Sequence, residues 1–188
     1  MSPILGIWAS SRFTQADTGA MFPLQVITVG AAGASSVTFT NIPSTYTHLQ
    51  IRAIQRLSIA TTDDNSYIQF NSDTGSNYAY HFIYGNGSSV AAGNGTSTSN
   101  ILAFRSSGAS STSGVFGVGV MDILDYANTN KFKTTKALTG SDQNGSGTLF
   151  YWSGLWRSTN AITSINIAPA SGNFAQYSQF ALYGVKGA

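Results

Sequence analysis

Two histidines, seven aspartates, no glutamate and no cysteine make up the acid–base and metal-ligating inventory of this 188-residue chain. A transition-metal site needs three or four N, O or S ligands, and His48 and His81 stand on separate predicted strands with no carboxylate cluster beside either. Both read as ordinary strand residues, and no metal or other cofactor is expected. No serine sits in a Gly-x-Ser-x-Gly elbow, so the strand-turn-helix nucleophile of α/β-hydrolases is missing. Paired carboxylates for glycoside hydrolysis would have to come from Asp122 and Asp125, which at a spacing of three fall on opposite faces of a strand, or from Asp63 and Asp64, which read as a polar turn. The segment from Asn71 to Asn77 alternates side-chain oxygens like the start of a calcium loop but lacks its distal glutamate. It reads as an Asx-type turn. The catalytic expectation is therefore that the protein is not an enzyme.

Residues suited to binding are more plentiful. Asn86-Gly87 and Asn94-Gly95 mark tight turns, because both residue types tolerate positive φ. Residues 85–99 between them read as a mobile, low-complexity surface loop whose Asn86, Ser88, Asn94 and Thr96 are the candidate recognition residues. The Asn-Gly-Ser/Thr sequons at 86, 94 and 144 are better explained as hairpin turns than as glycan acceptors. Among 23 aromatic residues, Trp152 and Trp156 share a strand face and Tyr151 takes the other. Such rings can form a core, an inter-subunit surface or a carbohydrate platform. Near the start of the chain, Ile4, Leu5, Ile7 and Trp8 make an apolar plug, a candidate particle-docking site that could equally pack back on its own domain.

The elements that must position these residues are strands. Gly, Ser, Thr and Asn supply 79 of the 188 residues and charged side chains only 9%, which leaves little to build the polar faces of helices. From residue 24 onward, β-branched and aromatic runs alternate with turn clusters. The runs lie at 24–29, 36–40, 48–56, 66–71, 78–84, 100–104, 115–124, 133–138, 148–156, 162–167 and 179–185, the first two reading as a half-buried hairpin. Tyr78, Tyr80, Phe82 and Tyr84 share one face and need a partner surface. Glycines 117 and 119 fit close backbone approach. Eleven strands in one unit predict an all-β fold, an antiparallel two-sheet sandwich of jelly-roll type over 24–188, preceded by a short extended N-terminal docking arm over 1–23. Nine basic residues scattered against seven acidic ones give no footprint for nucleic acid. No apolar run approaches the roughly 18 residues that span a bilayer, and the basic region of a signal peptide is lacking.

Met1 to Ser10, Val37 to Pro43, Thr47 to Arg52, Phe70 to Tyr78, Asp122 to Tyr126 and Gln179 to Lys186 carry a further signal. Across these stretches the chain resembles a group of small tailed-bacteriophage virion proteins, mostly uncharacterised. The resemblance implies a virion location and a structural role, and by analogy with phage fibres and decoration proteins a homotrimer contacting other tail or capsid proteins. It carries no catalytic signature and no functional residues. Two roles follow: a tail-fibre or tail-tip module for host attachment through cell-surface glycan, which the polar loops favour, and a capsid decoration protein, cement or head fibre, that stabilises the shell.

Overall fold

The computed structural model describes residues 19–187; the docking residues Ile4, Leu5, Ile7 and Trp8 lie outside them. The described residues form twelve strands and no helix: β1 (Met21–Thr28), β2 (Val37–Phe39), β3 (His48–Gln55), β4 (Asp63–Phe70), β5 (Tyr78–Gly85), β6 (Val90–Thr98), β7 (Ile101–Ser107), β8 (Gly117–Leu124), β9 (Lys133–Asp142), β10 (Gly147–Trp156), β11 (Ile165–Pro169) and β12 (Gln179–Val185). They assemble into an eight-stranded sheet of order β1-β12-β3-β8-β9-β10-β5-β6 and a four-stranded sheet of order β2-β11-β4-β7. Every pairing between named strands is antiparallel.

The all-β, two-sheet expectation holds, with four corrections. Strands β1 and β2 are not a hairpin: β1 pairs with β12 in the large sheet and β2 with β11 in the small one. β1 also starts at Met21, so 21–23 belong to the sheet rather than to an arm; a bulge between Pro23 and Gln25 absorbs the proline. Residues 90–98 are strand β6, not loop. Asp63 and Asp64 open strand β4 and do not form a turn.

The core lies between the sheets. Leu49, Ile51, Met121, Ile123, Phe180 and Leu182 of the large sheet meet Phe39, Ile68, Phe70, Phe104, Ile165 and Ile167 of the small one, all fully buried. Strand β7 packs face-on against β8, β9 and β10. Its close approach depends on glycine: a Cβ at Gly117 would stand 2.8 Å from Cα of Ser106, and one at Gly119 would stand 2.5 Å from the Phe104 ring. In the first half of β8, therefore, glycines face inward, and the valines between them, Val118 and Val120, face solvent at 53% and 41% exposure. That reverses the usual apolar-in, polar-out alternation of a sheet with one wet face.

The four rings of β5 find their partner surface on both sides. Tyr78 stacks on Trp156 at 6.2 Å and Phe82 meets Trp152 at 4.8 Å. On the other side, Tyr80 and Phe82 lie over Gly95 and Gly93 of β6, where any added Cβ would come within 2.5 Å of each ring. Trp152 and Trp156 are both core residues, 1% and 2% exposed, and Tyr151 faces outward, as their spacing implies.

Candidate functional site

Two hairpin turns stand side by side at one end of the large sheet, because Leu149 of β10 pairs with Gly85 of β5. In the β5–β6 turn, Asn86 N donates to Ser89 O at 3.2 Å and Gly87 has φ +88°, the positive φ at the first central position that a type II′ turn needs. Asn86 Oδ1 accepts from Ser89 N at 2.8 Å and Ser88 N at 3.1 Å. In the β9–β10 turn, Gln143 N donates to Ser146 O at 2.8 Å, and both central residues, Asn144 and Gly145, have positive φ, as type I′ requires. The Asn-Gly dipeptides at 86 and 144 are hairpin turns as expected. The one at 94 is not: Asn94 and Gly95 lie inside β6, paired with His81 and Tyr80.

Beneath the two turns lies a cleft of about 590 Å³, bounded by Asn86, Ser88, Gln143 and Ser146 above and by Asp63, Arg105, Tyr84 and Thr148 below. Arg105 is the hub of its floor. Its Nη2 meets Asp63 Oδ1 at 2.6 Å and its Nη1 donates to Asn65 Oδ1 at 3.1 Å. Thr148 Oγ1 donates to Asp63 Oδ2 at 3.2 Å. The guanidinium lies 5.5 Å from the Phe150 centroid, within cation–π range, and Phe150 in turn stacks on Tyr84 at 4.6 Å and 12°. The Nε of Arg105 is buried and has no hydrogen-bond partner among the described residues. This arrangement combines neutral donors and acceptors, one guanidinium–carboxylate pair and the stacked rim of a tyrosine. Chemically it suits a polar, uncharged ligand that offers paired hydroxyls and an apolar face.

Of the four candidate recognition residues, Asn86 and Ser88 border this cleft, whereas Asn94 and Thr96 are exposed strand residues outside it. Arg105, Gln143 and Thr148 carry no signal in the sequence, and Asp63 and Tyr84 stand out there only as a polar-turn residue and as one of four rings on a strand face, not as parts of a site. The usable signal was the second Asn-Gly turn at 144, which matches the first but could not be placed next to it without the β5–β10 pairing.

The remaining polar groups are arranged differently. His48 Nδ1 accepts from Asp125 N at 3.0 Å, and Asp125 is ion-paired with Lys131, which holds its carboxyl below the ordinary aspartate range. Asp125 lies past the end of β8 with φ +48°, not on a strand face with Asp122. Asp122 accepts from Gln50 at 2.9 Å and pairs with Lys136 at 3.5 Å. His81 faces Ser153 and Asn94 across the sheet, and Lys136 stands between that serine and Asp122. Among the described residues no three His, Cys, Asp or Glu side chains come together as a metal site would require. The segment from Asn71 to Asn77 is a turn as expected, with Asp73 Oδ1 accepting from Gly75 N at 2.9 Å and Asp73 Oδ2 accepting from Trp156 Nε1 at 2.7 Å.

No protein-family model matches the chain, and no curated protein or solved structure matches it significantly.

Proposed function

We propose that the chain is a non-enzymatic structural protein on the surface of a tailed-phage virion, a tail-fibre or tail-tip module that attaches the particle to a glycan on the host surface. In this reading Ile4, Leu5, Ile7 and Trp8 anchor a homotrimer to the particle. The observation that carries it is the cleft under the two hairpin turns, where Asn86, Ser88, Gln143 and Thr148 offer neutral hydrogen-bonding groups beside Tyr84 and the fixed guanidinium of Arg105. Sugar rings present the same pairing of hydroxyl edge and apolar face.

The topology supports a jelly-roll reading of the sandwich. A jelly roll opposes two four-stranded sheets built from interleaved antiparallel pairs. Here β1-β12-β3-β8 opposes β2-β11-β4-β7 in that interleaved order, and the hairpins β5–β6 and β9–β10 extend the first sheet as insertions. The cleft is made by the turns of those two insertions. Elements added beyond the minimal fold are natural carriers of a specific function, because the fold does not need them.

Binding of the fluorescently labelled chain to cells of the host bacterium tests the proposal. Saturable binding is expected, competed by purified host surface polysaccharide and lost in Tyr84→Ala. Absence of binding, or binding unchanged by that substitution, overturns the attachment role. Quantitative mass spectrometry of purified particles is expected to give a small multiple of three copies; hundreds of copies would replace the tail assignment with capsid decoration.

A further inference from the structure

The outer face of the eight-stranded sheet is apolar where the outer face of the small sheet is polar. Thr38, Asn166 and Gln69 form one row across the small sheet, with Asn166 Nδ2 donating to Thr38 Oγ1 at 2.9 Å. Across the large sheet, the registers align Val26, Ala181, Arg52, Val120, Leu138, Tyr151 and Ile83 in one outward row, apolar except at Arg52. Ile54, Val118, Leu149 and Val90 fall in the next. Of the twelve large apolar side chains exposed among the described residues, ten project from this face, at 41% to 82% exposure. Isolated exposed hydrophobics are ordinary, but a contiguous patch of this kind marks an interaction surface.

We propose that this face is covered by another copy of the same chain. Three observations select that occupant. First, its charges balance: Arg52 and Lys136 stand against Asp122 and Asp142, and Asp122 is already paired with Lys136 at 3.5 Å and hydrogen-bonded by Gln50. A partner of one sign, such as nucleic acid or an anionic lipid surface, gains nothing there, while another copy of the chain, carrying the same balance of charge, meets it without net repulsion. Second, the apolar rows are flanked by the polar row of Gln50, Asp122, Lys136, Ser153 and His81, the core-and-rim arrangement of protein interfaces. Third, the size fits. Eight strands about 4.8 Å apart and about 25 Å long give a face of roughly 850 Å², close to the ~800 Å² that each partner commits to a standard stable interface.

The inference deepens the trimeric part of the proposed function by naming its surface, and it does not depend on what the cleft binds. The full-length chain at micromolar concentration should have a solution mass at least twice the 19.8 kDa of one chain by light scattering. Leu138→Lys should shift the association midpoint at least tenfold toward monomer with an unchanged circular dichroism spectrum; the milder Leu138→Thr serves the same purpose should the lysine prevent folding. Because the chain has no cysteine, single-cysteine cross-linking locates the contact cleanly: Val120→Cys should yield covalent dimers and Asn166→Cys should not. A monomeric wild-type chain overturns the proposal, including the case in which residues 1–18 cover the face themselves. An oligomer that persists in the Leu138 variants and cross-links through Asn166→Cys also overturns it, while leaving a trimer and the glycan cleft standing.

Discussion

The Cβ position of Gly119 lies 2.5 Å from Cδ1 of Phe104 and 3.0 Å from Cγ2 of Thr139, so the β8 backbone rests directly on a fully buried ring of β7. Gly119→Ala must push the ring off its place or lift β8 away from the core. Overpacking of this kind costs about 1–3 kcal/mol, read as a lower denaturant midpoint with an unchanged slope. Gly140→Ala is the matched control. It sits on the outer face of neighbouring β9, where the nearest atoms to an added Cβ are Leu149 Cδ1 at 3.4 Å and Thr148 O at 3.5 Å, and its effect should stay within about 0.5 kcal/mol.

Trp156 provides a built-in reporter for acid stability. Its Nε1 donates to Asp73 Oδ2 at 2.7 Å, and Gly75 N and Asn77 Nδ2 add further bonds to the same carboxylate. These donors, the indole first, hold the Asp73 carboxyl below its ordinary 3.8. A group whose folded pKa is depressed contributes stability that is present above its unfolded value and lost as pH falls through the folded one. The stability difference between wild type and Asp73→Asn, followed by tryptophan fluorescence in urea, should therefore be largest at neutral pH and narrow below pH 3.8. A difference that stays constant across that range would show that the carboxylate charge contributes nothing.

Tyr78 should govern the alkaline limb. Its ring is fully buried, its hydroxyl accepts from Phe70 N at 3.0 Å and donates to Asp73 O at 3.0 Å, and burial pushes its phenol up to about 12. With the folded pKa raised, the stabilisation is complete below pH 10 and is lost as pH climbs toward about 12. Ultraviolet titration should show Tyr78 ionising late, together with unfolding and beside Tyr126, whose phenol burial also raises. Tyr78→Phe should remove its share of that late step and flatten the loss.

Much of this was legible in the sequence because period-two patterning and turn chemistry are local. The strand at 179–185, the shared face of Trp152 and Trp156, the close approach at Gly117 and Gly119 and the turns at Asn86 and Asn144 all follow from residue types within a few positions. Strand β6 was not legible. Its run from Val90 to Thr98 is mostly small residues, and what it buries belongs to Tyr80 and Phe82 of the next strand, which cross over Gly95 and Gly93. A strand whose side chains are supplied by its neighbour shows no pattern of its own. For the same reason, the candidate cleft was half visible: the turn residues Asn86 and Ser88 announce themselves, whereas Asp63 and Arg105 reach it only through long-range pairing of β4 with β7.

Lys133 opens β9 with no exposed surface, and its Nζ donates to the carbonyls of Asn128 at 2.5 Å, Lys131 at 3.0 Å and Thr159 at 3.1 Å. One ammonium thus ties the loop before β9 to the loop after β10. Lys133→Met keeps the stem but leaves these carbonyls without their donor, a cost of about 1–3 kcal/mol for a buried unsatisfied group. The pH dependence separates this from simple loss of packing. Burial, as the largest influence, holds the Lys133 ammonium below its ordinary 10.5, so in the window beneath that value the unfolded chain binds the proton more tightly and folding gains as pH rises. The phenols of Tyr78 and Tyr126, both raised by burial, slope the opposite way at higher pH, so the comparison belongs in a Tyr78→Phe/Tyr126→Phe background. There, stability should climb as pH approaches 10.5 with Lys133 present and stay level in Lys133→Met; a climb in both would assign the effect to another group.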